Sequence, residues 1–318
     1  MKLLFIVDPL AGLKPYKDSS VAMMRAAVAR GHAVFAAEAS QLHIASGIAR
    51  TACVALEVRT DDDWYRATQT DVSALKDFDA VVMRTDPPVD TDYLLATHLL
   101  GIAESNGARV LNRPAALRDF NEKLAILNFP QFVAPTLVSA DAANIGRFLA
   151  EHQDIIVKPL TEMGGSGIFR LTQSDLNRNA ILETLTQRGR RAIMAQRYLP
   201  EIKDGDKRIL LIDGKVVPWA LARIPLAGET RGNLAAGGTA RAQPLSARDR
   251  EIAETIAPWA RAHGIFLAGL DVIGDCLTEI NVTSPTGFQE IAAQTGHDVA
   301  AHFIAAVEHA RLAEHSPG

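Results

Sequence analysis

Residues 1 to about 113 alternate short, almost unbroken apolar runs with stretches of helical composition, and few folds accept that pattern. Lys2–Val7 is a near-continuous apolar run, and "SSVAMMRAAVAR" (19–30) reads as a helix. Asp18 or Ser19 can cap its start, and Gly31 suits the turn after its end. Ala80–Met83 and Arg109–Leu111 read as further strands, separated by a helix over Tyr93–Asn106 that Gly107 ends. Strands without hydrophobic alternation are buried on both faces, so this order predicts an α/β fold with a parallel sheet covered by helices on either side. Such sheets bind ligands beyond the carboxyl ends of their strands. Loops 8–19 and 84–92, each following a strand, are therefore the places to look.

After "NRPAALRDFNEKL" (112–124) the segments become shorter and richer in β-branched residues: Ile155–Lys158, Ile168–Leu171, Ala192–Tyr198, Arg208–Ile212 and Val216–Arg223. Turns such as Asp213-Gly214 make these antiparallel. A helix over about 247–263, a strand pair over about 266–281 and a helix from about 298 complete the pattern. The 318 residues suffice for about two packing units. With 33 basic and 37 acidic residues the formal charge is −4, which gives no electrostatic reason to expect nucleic acid or an anionic membrane as partner. Only two cysteines occur, Cys53 and Cys276, with no Cys-x-x-Cys, so disulfide scaffolds and thiolate zinc sites are excluded and a reducing cytoplasm fits. No apolar run approaches the roughly 18 residues of a membrane span. Asp8 and Pro9 cut short the run at the N-terminus, which reads as a strand rather than a signal peptide. No P-loop, H-E-x-x-H or G-x-S-x-G is present.

The segment "GLDVIGDCLTEINVTSPTG" (269–287) carries the most chemistry. It places Asp271, Glu279 and Asn281 on a hairpin turning near Gly274-Asp275, and residues 279 and 281 share one face of a strand. Two carboxylates and an amide suit Mg²⁺, which keeps several waters and takes only one or two protein carboxylates when it bridges to phosphates. A solvated hairpin face is the bland alternative, but Asp271 sits in "FLAGLDVIG", where an unpaired carboxylate is costly. With a strict two-residue turn Asp271 opposes Thr278 and points away from Glu279. Convergence therefore requires an odd residue, for instance a Gly274-Asp275-Cys276 loop with a bulge.

Lys158 ends an apolar strand ahead of "MGGSG" (163–167), where Gly164, Gly165 and Ser166 offer backbone N–H groups to an anion. Lys123, in "NEKL", is a second cation. Asp206 and Arg208 flank a strand start, and Arg223 and Arg231 bracket a glycine-rich stretch, an arrangement suited to closing over a polyanion. His297, His302, His309 and His315 read as a solvated helix face, and Cys276 as a packing residue.

These blocks, with "DSSVAMM" (18–24), "VMRTDPPVDTDY" (82–93), "LRDFNEKL" (117–124), "LPEIKDGDKRIL" (199–210) and "LARIPLAGETRGNLAAGG" (221–238), resemble the ATP-grasp superfamily and, within it, the bacterial glutathione synthetase family over nearly the whole chain. The resemblance implies a Rossmann-like domain over 1–121, then a two-lobed ATP-grasp domain. Its small lid subdomain would span 122–200 and its C-terminal subdomain 201–318, with a mobile loop at 225–238. It implies an ATP-dependent ligase that joins γ-glutamylcysteine to glycine through an acyl phosphate, a cytoplasmic homo-oligomer (dimer or tetramer) with no nucleic-acid or membrane partner. Lys123 and Lys158 would contact the ATP phosphates or purine. Gln196, Tyr198 and Leu199 would lie in the linker facing adenine, and Asp206 near the ribose. Asp271, Glu279 and Asn281 would hold two Mg²⁺, with Mn²⁺ as a substitute, and Arg223 and Arg231 would steady the transferring phosphoryl group. Asp18, Ser19, Ser20, Arg84 and Asp86 would face the peptide substrate. The chain departs from the family at Thr161-Glu162, where Asp-Gly is usual, and at Phe288-Gln289, where Ile-Arg is usual. The rival readings are another ATP-grasp ligase, of D-alanine–D-alanine or glutamate-adding type, and a non-catalytic nucleotide-binding regulator. The regulator is expected to lack one of Asp271, Glu279 and Asn281.

Overall fold

A computed structural model describes residues 1–61, 63–226 and 238–315. Arg231 and most of the stretch 225–238 lie outside the described residues, and with them the expected mobile loop.

Three sheets organise the described chain. The first is built from β1 (Lys2–Ile6), β2 (Ala33–Ala37), β3 (Leu42–Ala45), β4 (Ile48–Val58), β5 (Tyr65–Ala74), β6 (Ala80–Met83) and β7 (Val110–Leu111). Its order is β3-β4-β2-β1-β6-β7, with β5 pairing along β4. Strands β2, β1, β6 and β7 are parallel, as expected, and their side chains divide between two cores. Leu3 and Phe5 pack with α1 (Ser19–Ala29), while Leu4 and Ile6 pack with α2 (Thr91–Ser105) and α3 (Pro114–Asp119). The parallel expectation fails for β3, β4 and β5, which are antiparallel and make the sheet mixed. β5 is exposed along most of its length, so it has no apolar run to betray it. Asp18 and Asp90 cap α1 and α2, accepting from the amides of Val21 and Tyr93 at 2.9 Å each.

The second sheet, in the order β10-β9-β11-β8, is antiparallel: β8 (Thr136–Ser139), β9 (Asp154–Pro159), β10 (Phe169–Thr172) and β11 (Ile193–Arg197). Ile155, Val157, Ile193 and Ala195 face α4 (Ala142–His152) and α5 (Arg178–Leu185). By the two-residue period of a strand, Ile156, Lys158 and Gln196 point the other way, into a cavity.

The third sheet contains β12 (Asp206–Ile212), β13 (Lys215–Ile224), β14 (Thr239–Pro244), β15 (Leu267–Ile273) and β16 (Cys276–Asn281), in the order β14-β13-β12-β15-β16. Ile209 and Leu211 pack with α6 (Ala247–Ala262). The opposite face of β12 changes character along its length. Asp206 and Arg208 line the cavity, whereas Leu210 and Ile212 join a core shared with α7 (Phe288–Thr295) and α8 (Val299–His315). No described helix is long and apolar enough to cross a membrane.

The third sheet is fastened to the first by one buried amide. Asn112, just after β7, donates from Nδ2 to the carbonyls of Leu267 (2.8 Å) and Val282 (2.7 Å) and accepts from the Leu267 amide at 2.7 Å.

The C-terminal histidines differ from expectation. His309 is exposed, but His297 and His302 are half-buried and stack edge to face, with ring centroids 5.9 Å apart. Burial lowers the His302 pKa, so this face is not a solvated one.

Candidate active site

The second and third sheets clasp a cavity of about 390 Å³, whose wall is completed by Asp86 and Pro87 from the first sheet and by residues 283–286. One end is apolar. Ala134, Ile156, Tyr198, Leu199, Ile202 and Ile273 line it near the end of β11, where the buried Gln196 amide donates to the Thr136 hydroxyl at 2.9 Å.

The middle is cationic. Lys123 and Lys158 are both buried, and their Nζ atoms lie 3.6 and 3.8 Å from Glu279 Oε1. Lys158 donates to the Thr278 carbonyl at 3.2 Å, and Lys123 to the Glu162 carbonyl at 2.6 Å. The second of these bonds uses the backbone carbonyl of Glu162, which any residue there would supply, so the Thr161-Glu162 departure leaves it intact. Burial lowers the Lys158 pKa against the pull of Glu279. Gly164 and Gly165, both at positive φ, line the cavity, and Ser166 does not. Gly167 supports the turn: at φ +68° a Cβ would stand 2.8 Å from Pro159 Cγ.

The hairpin meets the convergence requirement by a different route. Gly274-Asp275 remains a two-residue turn, with Ile273 opposite Cys276 and Val272 opposite Leu277, and the odd residue is Thr278. Its insertion sets Asp271 opposite Glu279 and Gly269 opposite Asn281. The expected bulge is present, but Cys276 is not part of it. Thr278 is held by its own hydroxyl, which donates to the Asp271 carbonyl at 3.1 Å. Cys276 is free, and burial pushes its thiol up, away from a nucleophilic thiolate.

Strand pairing then assembles a charge network. β12 sets Arg208 opposite Asp271 and Asp206 opposite Arg223. Arg208 grips Asp271 with two bonds, 2.6 and 3.2 Å, and Arg223 reaches both Asp271 (2.8 Å) and Asp206. Although burial opposes it, this pair of guanidiniums holds the Asp271 carboxyl well below the usual carboxylate range. Asp206 moves the other way: burial pushes it up to about 6 against Arg223, with Asp271 and Glu279 adding repulsion. Its Oδ1 is enclosed without a partner. Gly269 makes room for the grip, since a Cβ there would lie 2.8 Å from Arg208 Cδ and 2.9 Å from Pro285 Cβ.

These donors fit a hard cation shared with phosphate. Asp271 and Glu279 stand side by side on the cavity wall, and Asn281, whose Nδ2 donates to the Gly269 carbonyl at 3.2 Å, keeps its carbonyl oxygen for a ligand. Among the described residues no group of three or more His, Cys, Asp or Glu could hold an ion. Mg²⁺ asks for no such cage when nucleotide and water supply the remaining oxygens.

The five expected peptide-binding residues lie close to one another, with Arg84 bonded to Ser20 and acted on by Asp18 and Asp86. Only Asp86 lines the cavity; it accepts from the Ser284 hydroxyl, and its amide donates to Asp8 at 3.0 Å. Asp18 serves as a helix cap, Ser19 Oγ accepts from the Phe288 amide at 3.4 Å, and Ser20 Oγ accepts from Arg84 at 3.0 Å. Gln289, the other unusual residue, donates to the carbonyls of Pro15 (3.0 Å) and Asp18 (2.6 Å), tying α7 to the loop before α1.

One residue escapes sequence reasoning although it neighbours Lys123. Glu122 is half-buried at the cavity wall, and its Oε1 accepts from the Val282 amide (2.8 Å), the Thr283 amide (3.0 Å) and the Thr283 hydroxyl (2.8 Å). It thereby positions the chain that follows Asn281. Burial raises its pKa against these bonds.

Two sheets closing on a nucleotide-sized cavity, with a buried lysine on a strand of one, a second buried lysine from the loop after α3, and a carboxylate hairpin on the other, define an ATP-grasp ligase, an enzyme that uses ATP to form a C–N bond. Solved structures of that class share the fold over almost the whole chain. D-cycloserine synthetase DcsG matches 97% of this chain and 99% of its own with a TM-score of 0.68 at 16% identity. The ATP-grasp ligase PsnB, complexed with a precursor variant, Mg and ADP, matches 98% of each chain with a TM-score of 0.61 at 19% identity.

The chain belongs to the prokaryotic glutathione synthetase family. The family's N-terminal domain matches residues 1–118 and its ATP-grasp domain residues 122–296. The glutathione synthetase of Neisseria meningitidis serogroup B is 59% identical over 312 residues, covering 96% of this chain and 98% of its own.

Proposed function

We propose that this chain joins γ-glutamylcysteine to glycine with ATP, giving glutathione, ADP and phosphate. The supporting observation is the meeting, on one cavity, of two buried lysines, the Asp271–Glu279–Asn281 hairpin and the first-sheet residue Asp86. Adenine would lie against Ile156, Tyr198 and Leu199. The phosphates would then fall between Lys123, Lys158 and the Gly164-Gly165 turn, with Asp206 toward the ribose. Asp271, Glu279 and Asn281 would hold Mg²⁺, two ions on this reading, which when bound neutralises phosphate charge; the Mg and ADP held by the PsnB neighbour support such use.

In the first step the cysteinyl carboxylate oxygen attacks the γ-phosphorus, and ADP leaves. Lys123, Lys158 and Arg223 stabilise the charge on the transferring group from fixed positions. In the second, the glycine amine attacks the acyl carbonyl, phosphate leaves, and the nitrogen gives up a proton. No side-chain nucleophile takes part, in keeping with the protonated Cys276. The free thiols Cys53 and Cys276 suit a reducing compartment such as the cytoplasm.

The test is ADP release across a panel of carboxylate and amine substrates. Release only with γ-glutamylcysteine and glycine together supports the proposal. Release with D-alanine or glutamate acceptors moves the chain to another ATP-grasp activity, and nucleotide binding without release in any pair makes it a binding protein.

A further inference from the structure

Tyr198 stands where the chain leaves the second sheet for the third, between the end of β11 and the start of β12, and it lines the apolar end of the cavity. It is only half-buried, so packing leaves part of its ring to be covered by something else. Arg170 covers it. On the edge strand β10, Arg170 is opposite Ile156 of β9, which is in turn opposite Gln196 of β11, so the three form one row across the cavity face of the sheet. The Arg170 guanidinium lies 3.7 Å from the centroid of the Tyr198 ring. Asp154 holds it there with both carboxylate oxygens, accepting from Nε at 3.0 and 3.2 Å and from Nη2 at 2.6 Å. The Asp154 carbonyl also accepts from the Tyr198 amide at 3.0 Å, so one residue fixes both the backbone of Tyr198 and the cation over its ring.

We propose that Arg170 is a positioning residue for the base of the nucleotide: it holds the Tyr198 ring in place at the apolar end of the cavity, so that adenine meets a wall already formed. The proposal rests on the ligase reading given above, which puts the base at this end. Arg170 and Asp154 are 41% and 30% exposed, and neither lines the cavity, so they act on a nucleotide through Tyr198 and not by touching it. An ordinary surface ion pair between such groups contributes little. This one differs in geometry. A planar guanidinium can be gripped in its plane by a carboxylate while its face stacks on a ring, and the ammonium of a lysine offers no such plane. A ring ordered beforehand spares the nucleotide the entropy of ordering it on binding.

The test measures the Kd for ATP with Mg²⁺ by calorimetry on the full chain, without peptide or glycine. Arg170→Ala should weaken binding about threefold to fivefold, the worth of one cation over a partly exposed ring, at an unchanged melting temperature. Arg170→Lys, which keeps the charge but not the planar grip, should fall between the two. The same loss should appear in a Tyr198→Phe background, which keeps the ring, and vanish in a Tyr198→Leu background, where the group through which Arg170 acts is gone. In turnover with γ-glutamylcysteine and glycine, the factor should appear in KM for ATP, with kcat and KM for the peptide unmoved. Unchanged ATP affinity in Arg170→Ala overturns the proposal, as does an equal second loss in the Tyr198→Leu background. A markedly lower melting temperature, or equal rises in all KM values, makes Arg170 a general support of the second sheet and overturns it too. Binding of ATP is read without turnover, so a chain that shows this pattern of affinities but releases no ADP with any substrate pair keeps the clamp and loses the ligase reading.

Discussion

On the third-sheet wall of the cavity Arg208, Arg223, Asp206 and Asp271 interlock across three strands, whereas beyond the cavity, at the end of β6, the Arg84 side chain has a serine hydroxyl and no carboxylate in ion-pair reach among the described residues. Both ends bury guanidinium groups. The paired end has its geometry set by cross-strand register, so it keeps its shape while a polyanion comes and goes. The unpaired end has no such counter-charge to fix its geometry. One fold thus holds buried arginine in a full charge network in one place and on a single hydroxyl in another.

The largest effect should come from the paired end. Glu279→Gln keeps the shape but removes the charge between Lys123 and Lys158, and turnover should fall by about 10²–10³-fold, as for loss of one preorganised electrostatic group. Melting temperature should fall as well, because the two buried lysines lose their shared counter-charge; unchanged turnover at saturating Mg²⁺ would remove Glu279 from the site.

Stability separates the ends directly. Breaking a buried ion network by deleting one partner costs about 3–5 kcal/mol. Arg223→Met is therefore expected to lower unfolding free energy by about 3 kcal/mol in denaturant titration, with Arg84→Met close to neutral. Equal losses in the two variants would erase the contrast.

A smaller effect should appear with pH. The Asp206 carboxyl, pushed up to about 6 by burial, keeps its proton in the folded chain where an unfolded aspartate, at 3.8, has released it. The folded state binds more protons in that window, so this group's contribution to stability falls as pH rises from about 4 to 6. Asp206→Asn should gain on wild type over the same interval in melting curves; parallel curves would mean that Asp206 ionises normally.

The smallest change expected is in Ser284→Ala, which takes one hydrogen bond from Asp86. A neutral donor of this kind is worth about 1 kcal/mol, seen as a rise in KM for the peptide with KM for ATP unmoved. An equal rise in both would make Ser284 a general support of the cavity wall.

Much of this contrast can be read from the chain alone, and its limits have physical causes. That Asp271 and Glu279 need an extra residue to converge follows from the two-residue period of strands. That the extra residue is Thr278 does not follow, since it depends on a hydroxyl bond to Asp271 and on Lys158 reaching the Thr278 carbonyl from another sheet. The pairing of Arg208 with Asp271 requires β12 beside β15, a neighbour relation no local pattern encodes. Glu122 looks like an ordinary polar neighbour of Lys123 until Val282 and Thr283 are brought to it. β5 lacks an apolar face, so only its pairing with β4 defines it.

For anyone recombining ligases of this class, Asn112 moves the natural crossover point. The two family segments meet between residues 118 and 122, which invites a graft there. Yet Asn112 upstream is matched to Leu267 and Val282 downstream, and Glu122 to residues 280–283. A hybrid that takes its first 118 residues from one parent inherits half of the Asn112 joint, so the graft must carry the backbone around 267 and 282 along with it, as matched parts of one hinge pin.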